Sequence, residues 1–273
     1  MNPDRLVRSD LIVGGASLAA YDSGGVGLPI VFQHGLCGDI RQIAEAVPEA
    51  GFRLLAIECR GHGASPAAGP PSVARFADDV IALIEARGLA PVLVGGISMG
   101  AAIASRIAVT RPDLARGLIL ARPAWVVEAA PANMAPNAEV GRLLAAHSAE
   151  PARAAFVASP THALLAASAP DNLVSLMGFF DRAPQAVTAE LLTMISADGP
   201  GISELDLVHV PTPTLVLASE EDAIHPMAHA ERLARLIPHA RLERLTPKGR
   251  DKPAYLADFH RALAAFAKDI SHA

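Results

Sequence analysis

The chain has 273 residues, a net charge of −5 and 51% apolar but only 4% aromatic residues, a size and composition that suit one large α/β domain or a core with a small insert. Its basic residues are scattered, which argues against a nucleic-acid surface or an anionic membrane face, and two cysteines, Cys37 and Cys59, make no disulfide framework. The N-terminal stretch has no apolar segment of signal-peptide length, and no run of about 18 apolar residues suggests a membrane span, so a cytoplasmic setting is expected.

Short apolar runs bounded by Gly or Pro predict strands covered on both faces. PIVFQHG (29–35) is the first and FRLLAIE (52–58) the second. The stretch 72–88 then predicts a helix, with Val73, Phe76, Val80, Leu83 and Ile84 on one stripe and Gly88 as its stop. PVLVGGIS (91–98) and GLILA (117–121) are the third and fourth strands. From 123 to 206 no strand pattern occurs; Pro-punctuated helical pieces such as EVGRLLAAHSA and AVTAELLTMIS fill the segment. PTLVLAS (213–219) is the fifth strand, and a helix follows with Pro226 in its first turn. RLERL (241–245) has the alternation of an edge strand, and a last helix starts near Asp251 or Lys252. Strand–helix alternation predicts a doubly wound, mainly parallel sheet.

Gly96-Ile97-Ser98-Met99-Gly100 fits G-x-S-x-G, with an apolar run before it and an Ala-rich helix after it. That context makes the pentapeptide specific. A sharp strand-to-helix turn lifts a nucleophile clear of the backbone, and the helix N-terminus behind it adds partial positive charge. Three further stretches stand in matching order: FQHGLCGD (32–39), ECRGHGAS (58–65) and EEDAIHP (220–226). Together they resemble the α/β-hydrolase superfamily over nearly the whole chain. The resemblance implies a core of residues 1–122 and 207–273, with a helical cap of 123–206 inserted after the sixth family strand. It implies Ser98 as nucleophile, the backbone N–H groups of Leu36 and Met99 as oxyanion donors and Asp222 as the acid, with no cofactor and no metal. His34 and His62 brace their loops in this scheme, His34 being also a candidate substrate contact. Glu58 stands where the family usually has Asp, and Cys37 is read as a small apolar filler.

One feature of the family is missing. A serine hydroxyl needs a neighbour that takes its proton and returns it to the leaving group. The family supplies a Gly-His after the last strand, where this chain has Gly249-Arg250, and no histidine lies between His239 and His260. A guanidinium accepts no proton. Lys248 is a candidate only with a strongly depressed pKa. His225, three residues after Asp222, is the leading candidate, because its loop leaves the carboxyl end of a strand, where ligands gather in open α/β sheets. His147 and His162 of the insert, or no base at all, are the alternatives. Arg122, directly after a strand end, suits either an anionic substrate group or a salt bridge to Glu128 or Asp222. Trp125 offers an apolar wall, and Arg250 an anion clamp, a partner for Asp222 or, equally, a surface residue.

The reading is a serine hydrolase of a carboxylic ester or lactone, with a small-molecule substrate that the arginines suggest is acidic and an oligomeric state left open. Carbon–carbon bond hydrolysis is the alternative reaction. A non-catalytic binding protein that has lost turnover is the alternative of another class.

Overall fold

The structure, a computed structural model, describes residues 1–272. Eight strands form one sheet: β1 (Val7–Val13), β2 (Ala16–Asp22), β3 (Leu28–Gln33), β4 (Phe52–Ile57), β5 (Val92–Ile97), β6 (Ala115–Ala121), β7 (Thr214–Ala218) and β8 (Ala240–Arg244). Their spatial order is β1-β2-β4-β3-β5-β6-β7-β8. β1 and β2 pair antiparallel, as do β2 and β4, and every pairing from β4 to β8 is parallel. The expected strands therefore stand within a residue or two of their predicted bounds. The hairpin β1–β2 has no counterpart among the apolar runs. β1 lies at the sheet edge with Val7 and Ile12 exposed, and β2 is Ala-rich, so neither shows the signal of a doubly covered strand.

The helices are α1 (Ile40–Ala46), α2 (Val73–Arg87), α3 (Met99–Thr110), α4 (Ala135–Ala146), α5 (Ala149–Val157), α6 (Pro160–Ser168), α7 (Pro170–Gly178), α8 (Gln185–Ala197), α9 (Glu204–Leu207), α10 (Met227–Leu236) and α11 (Lys252–His272). Side chains alternate along each strand, which divides the core between the two faces of the sheet. Val31, Leu55, Val94 and Leu118 pack with α2, α3 and α10, while Ile30, Leu54, Leu93 and Ile119 pack with α1 and α11. Local sequence sets the helix limits: the Ser72 side chain caps α2, and Gly88 closes it in the left-handed region at φ 61°.

The helices α4 to α9 lie between β6 and β7 in the chain, and among the described residues the stretch 123–206 contains no strand. Trp125, Met134, Val140, Leu144 and Leu192 join this segment to the core on the α2–α3 face. No helix among the described residues is long and apolar enough to cross a membrane.

Candidate active site

β5 runs straight into α3 with Ser98 between them, at φ 58° and ψ −110°. A non-glycine residue in that region is strained, and such strain persists only where the surroundings enforce it. Here the enforcement is close packing: a Cβ on Gly96 would meet the backbone of Gly100, and one on Gly100 would meet the carbonyl of Gln33. The two glycines of G-x-S-x-G are thus required by strand, elbow and helix crowding together. Ser98 is 8% exposed, and its neighbour Met99 is the first residue of α3. Among the described residues, the N–H groups of Met99 and Leu36 donate to no protein acceptor.

Two histidines lock the loops beneath the elbow. His34 Nδ1–H donates to the Gly35 carbonyl (2.8 Å), and its Nε2 accepts the Cys59 N–H (3.0 Å). His62 does the reverse from the other loop, donating to the Arg60 carbonyl (3.0 Å) and accepting the Cys37 N–H (3.0 Å). Burial disfavours both cations, and each ring lies below the ordinary histidine pKa. His34 is fully buried with both nitrogens spent, so the expectation of a substrate contact is corrected: it holds the oxyanion loop from behind. Glu58 fills the family's Asp position by accepting the Ile40 and Ala64 N–H groups and the Tyr21 hydroxyl. Cys37 Sγ is pushed up to about 12 by burial, which leaves it a neutral thiol.

The loop after β7 carries Asp222 and His225. Asp222 accepts from His225 Nδ1–H (2.8 Å) and the His225 backbone N–H (3.0 Å), from Asn172 Nδ2 (2.9 Å) and from Arg122 Nε (2.7 Å). Burial alone would raise its pKa, but the charges of His225 and Arg122 and these bonds hold it far below the usual carboxylate range. Burial pushes His225 the other way, below its ordinary value, against the pull of Asp222. The outcome is a neutral imidazole on an ionised carboxylate. With Nδ1–H spent on Asp222, Nε2 carries the lone pair.

His225, Ser98, Leu36 and Arg122 line one cavity of about 100 Å³. A wider surface groove of about 570 Å³, past Arg182, shares Ser175 and Phe179 with it. Ser98, Leu36 and His225 therefore share one cavity, with no hydrogen bond between Ser98 and His225, and three expected substrate contacts take other partners. Trp125 is buried and donates Nε1–H to the Asp198 carbonyl (2.9 Å) instead of walling the cavity. Arg250 is exposed and forks onto Glu221, away from the cavity and from Asp222. Arg122 takes the salt-bridge option to Asp222 rather than standing free for a substrate anion. Lys248 lies in the cavity wall, ion-paired with Asp171 at 3.2 Å. Of the alternative bases, neither His147 nor His162 lines the cavity.

Asn172 was invisible to motif reading. From α7 it donates Nδ2–H to Asp222 and accepts the Ala223 N–H (2.7 Å), clamping the loop that carries His225. Its only sequence signal is an Asp-Asn pair after Pro170 at a helix start, a common capping pattern.

A family model described as the alpha/beta hydrolase fold matches residues 29–251. Among curated relatives, the mouse sn-1-specific diacylglycerol lipase ABHD11 is 34% identical over 121 residues, 43% of this chain and 38% of the relative. The Mycobacterium tuberculosis putative non-heme bromoperoxidase BpoC is 37% identical over 105 residues, 37% of this chain and 40% of the relative. The chain thus spans about two fifths of the length of these relatives. Among solved structures, a thermophilic esterase from Thermogutta terrifontis (malate bound) aligns at TM-score 0.73 and 22% identity, covering 97% of this chain and 98% of its own. An enol-lactonase from Burkholderia xenovorans aligns at 0.65 and 23%, with the same coverage of both chains. The family match, the parallel sheet and the serine elbow agree: the chain belongs to the alpha/beta hydrolase fold family.

Proposed function

We propose that the chain is a cofactor-independent serine hydrolase of carboxylic esters or lactones. Ser98 Oγ attacks the carbonyl carbon while His225 Nε2 accepts its proton. The Leu36 and Met99 N–H groups receive the developing oxyanion, and one such donor is worth roughly 3–4 kcal/mol in the transition state. Collapse breaks the C–O bond, and the departing alkoxide takes the proton from His225. Water then attacks the acyl-serine by the same route, with His225 again as base, releasing the carboxylic acid and restoring Ser98. Asp222 orients the ring and stabilises the imidazolium as it forms; the base has moved into the acid's own loop from its family position after β8. The helices of 123–206 serve as the cap, supplying Asn172, Met134 and Phe179 to the cavity wall. The acyl group occupies the inner cavity and the alcohol extends toward the outer groove.

One observation carries this reading: a serine at a strained elbow and a neutral, carboxylate-bound imidazole line the same cavity. The ester chemistry of the mouse lipase relative supports it. A fluorophosphonate probe tests it. The folded wild type is expected to label, Ser98→Ala to lose labelling and His225→Ala to label far more slowly. A folded wild type that refuses the probe would hand the site to the binding-protein reading.

A further inference from the structure

With two exceptions, each polar side chain of the inner cavity makes at least one hydrogen bond or ion pair inside the protein. Gln42 Oε1 accepts the Gly35 N–H, Ser175 donates to the Asp171 carbonyl and Lys248 pairs with Asp171. Arg122, Asn172 and His225 all converge on Asp222. Among the described residues, the lining polar side chains with no hydrogen bond inside the protein are Ser98 and Asn137. Ser98 has its reason in the chemistry proposed above. Asn137 has none yet.

Asn137 sits in the first turn of α4 and is 5% exposed; its Oδ1 is closed off without a partner, while its Nδ2, also without a partner, is not closed off, so the donor end of the amide is the one open to the cavity it lines. A buried amide left unpaired costs about 1–3 kcal/mol, so such groups are rare unless something completes them. An apolar residue of similar volume would fill the same wall at no such cost. The cavity is also small: about 100 Å³ is well under the roughly 300 Å³ at the low end of drug-sized sites, which limits the acyl group to a few carbons.

Resting on the serine-hydrolase reading, we propose that Asn137 is a specificity-determining residue. Its amide hydrogen-bonds an oxygen substituent, a hydroxyl or a keto group, on a short acyl chain of about four carbons. The substrate class is thus short-chain hydroxyacyl or oxoacyl esters and their lactones, rather than plain alkanoyl or long fatty-acyl esters. The Nδ2–H donor suits either oxygen, since a keto group and a hydroxyl both accept. A site built to bond such a group discriminates strongly against the analogue that lacks it, because the protein's amide is then left unpaired.

The test compares hydrolysis of 4-nitrophenyl 3-hydroxybutanoate and 4-nitrophenyl butanoate by the full-length protein and by Asn137→Leu. The wild type is expected to favour the hydroxy ester by about tenfold or more in kcat/KM, and Asn137→Leu to lose about that factor in the ratio. A wild-type ratio near one overturns the proposal without any variant, as does a ratio that Asn137→Leu leaves in place. A protein that labels with fluorophosphonate at Ser98 yet shows either result retains the hydrolase reading and loses this one. A protein that neither labels nor hydrolyses either ester loses both.

Discussion

The loops after β7 and β8 leave the same end of a parallel pair, and they differ in nearly everything else. In the first, Asp222 and His225 have side chains only 4% and 10% exposed, and four donors converge on one carboxylate. In the second, where the family places its histidine, Gly249 and Arg250 lie exposed and the guanidinium pairs with Glu221 on the surface. The contrast shows what a proton acceptor needs from its surroundings. Burial keeps the His225 imidazole neutral against the pull of Asp222, and the carboxylate aims it; solvent at the second loop would supply neither the burial nor the aim. Lys248 is the one member of the second loop that reaches the cavity, and Asp171 keeps it as an ion pair.

The sharpest way to break the comparison is to remove the imidazole from the first loop. His225→Gln is expected to lower kcat by about 10²–10⁴-fold on a 4-nitrophenyl ester. A loss under threefold would move the base elsewhere, and Lys248 would be the next residue to substitute. Next in size is stability. Arg122→Leu strips the buried partner from Asp222 and leaves a carboxylate with three donors but no fixed cation, at a cost of about 3–5 kcal/mol in urea unfolding. Retention of the wild-type midpoint would show that His225 and Asn172 hold the charge without it.

A smaller effect follows from pH. His34, His62 and His225 all lie below their ordinary value of 6.5, burial being the largest cause in each. As pH falls below 6.5 the unfolded chain takes up protons that the folded protein refuses, so stability declines from there downward and is flat above it. The urea midpoint at pH 5.5 should sit below that at pH 7.5. The pH profile of kcat/KM should rise through an apparent pKa below 6.5 and then stay level through neutrality. An activity that switches on only near pH 9 would mean a lysine base instead. At the bottom of the scale, Arg250→Ala should leave hydrolysis within about twofold, as surface substitutions away from packed features do. A large loss there would return the second loop to the chemistry.

Much of this molecule was legible residue by residue. The elbow was readable because G-x-S-x-G between an apolar run and an Ala-rich helix is one contiguous pattern, although the crowding that demands Gly100 comes from Gln33 on another strand. His225 was readable as a candidate because it stands three residues from Asp222. Trp125 and Arg250 misled because an aromatic near a strand end and an arginine in a histidine's place give no sign of which way they turn. Trp125 found the Asp198 carbonyl and Arg250 found Glu221. Asn172 and Asn137 lay below detection, since an asparagine in a helix's first turn reads as ordinary capping chemistry.

By itself, then, the order of apolar runs, glycines and helical stripes determined the elements, the elbow motif and the family, because burial periodicity and turn chemistry are patterns written in short stretches of chain. Tertiary structure alone decided how the acid is held and what the cavity asks of a ligand. Asp222 is bonded to residues 50 and 100 positions away, and pairings that distant leave no periodicity in the sequence to read. They exist only once the sheet has closed and the helices between β6 and β7 have settled over its carboxyl end.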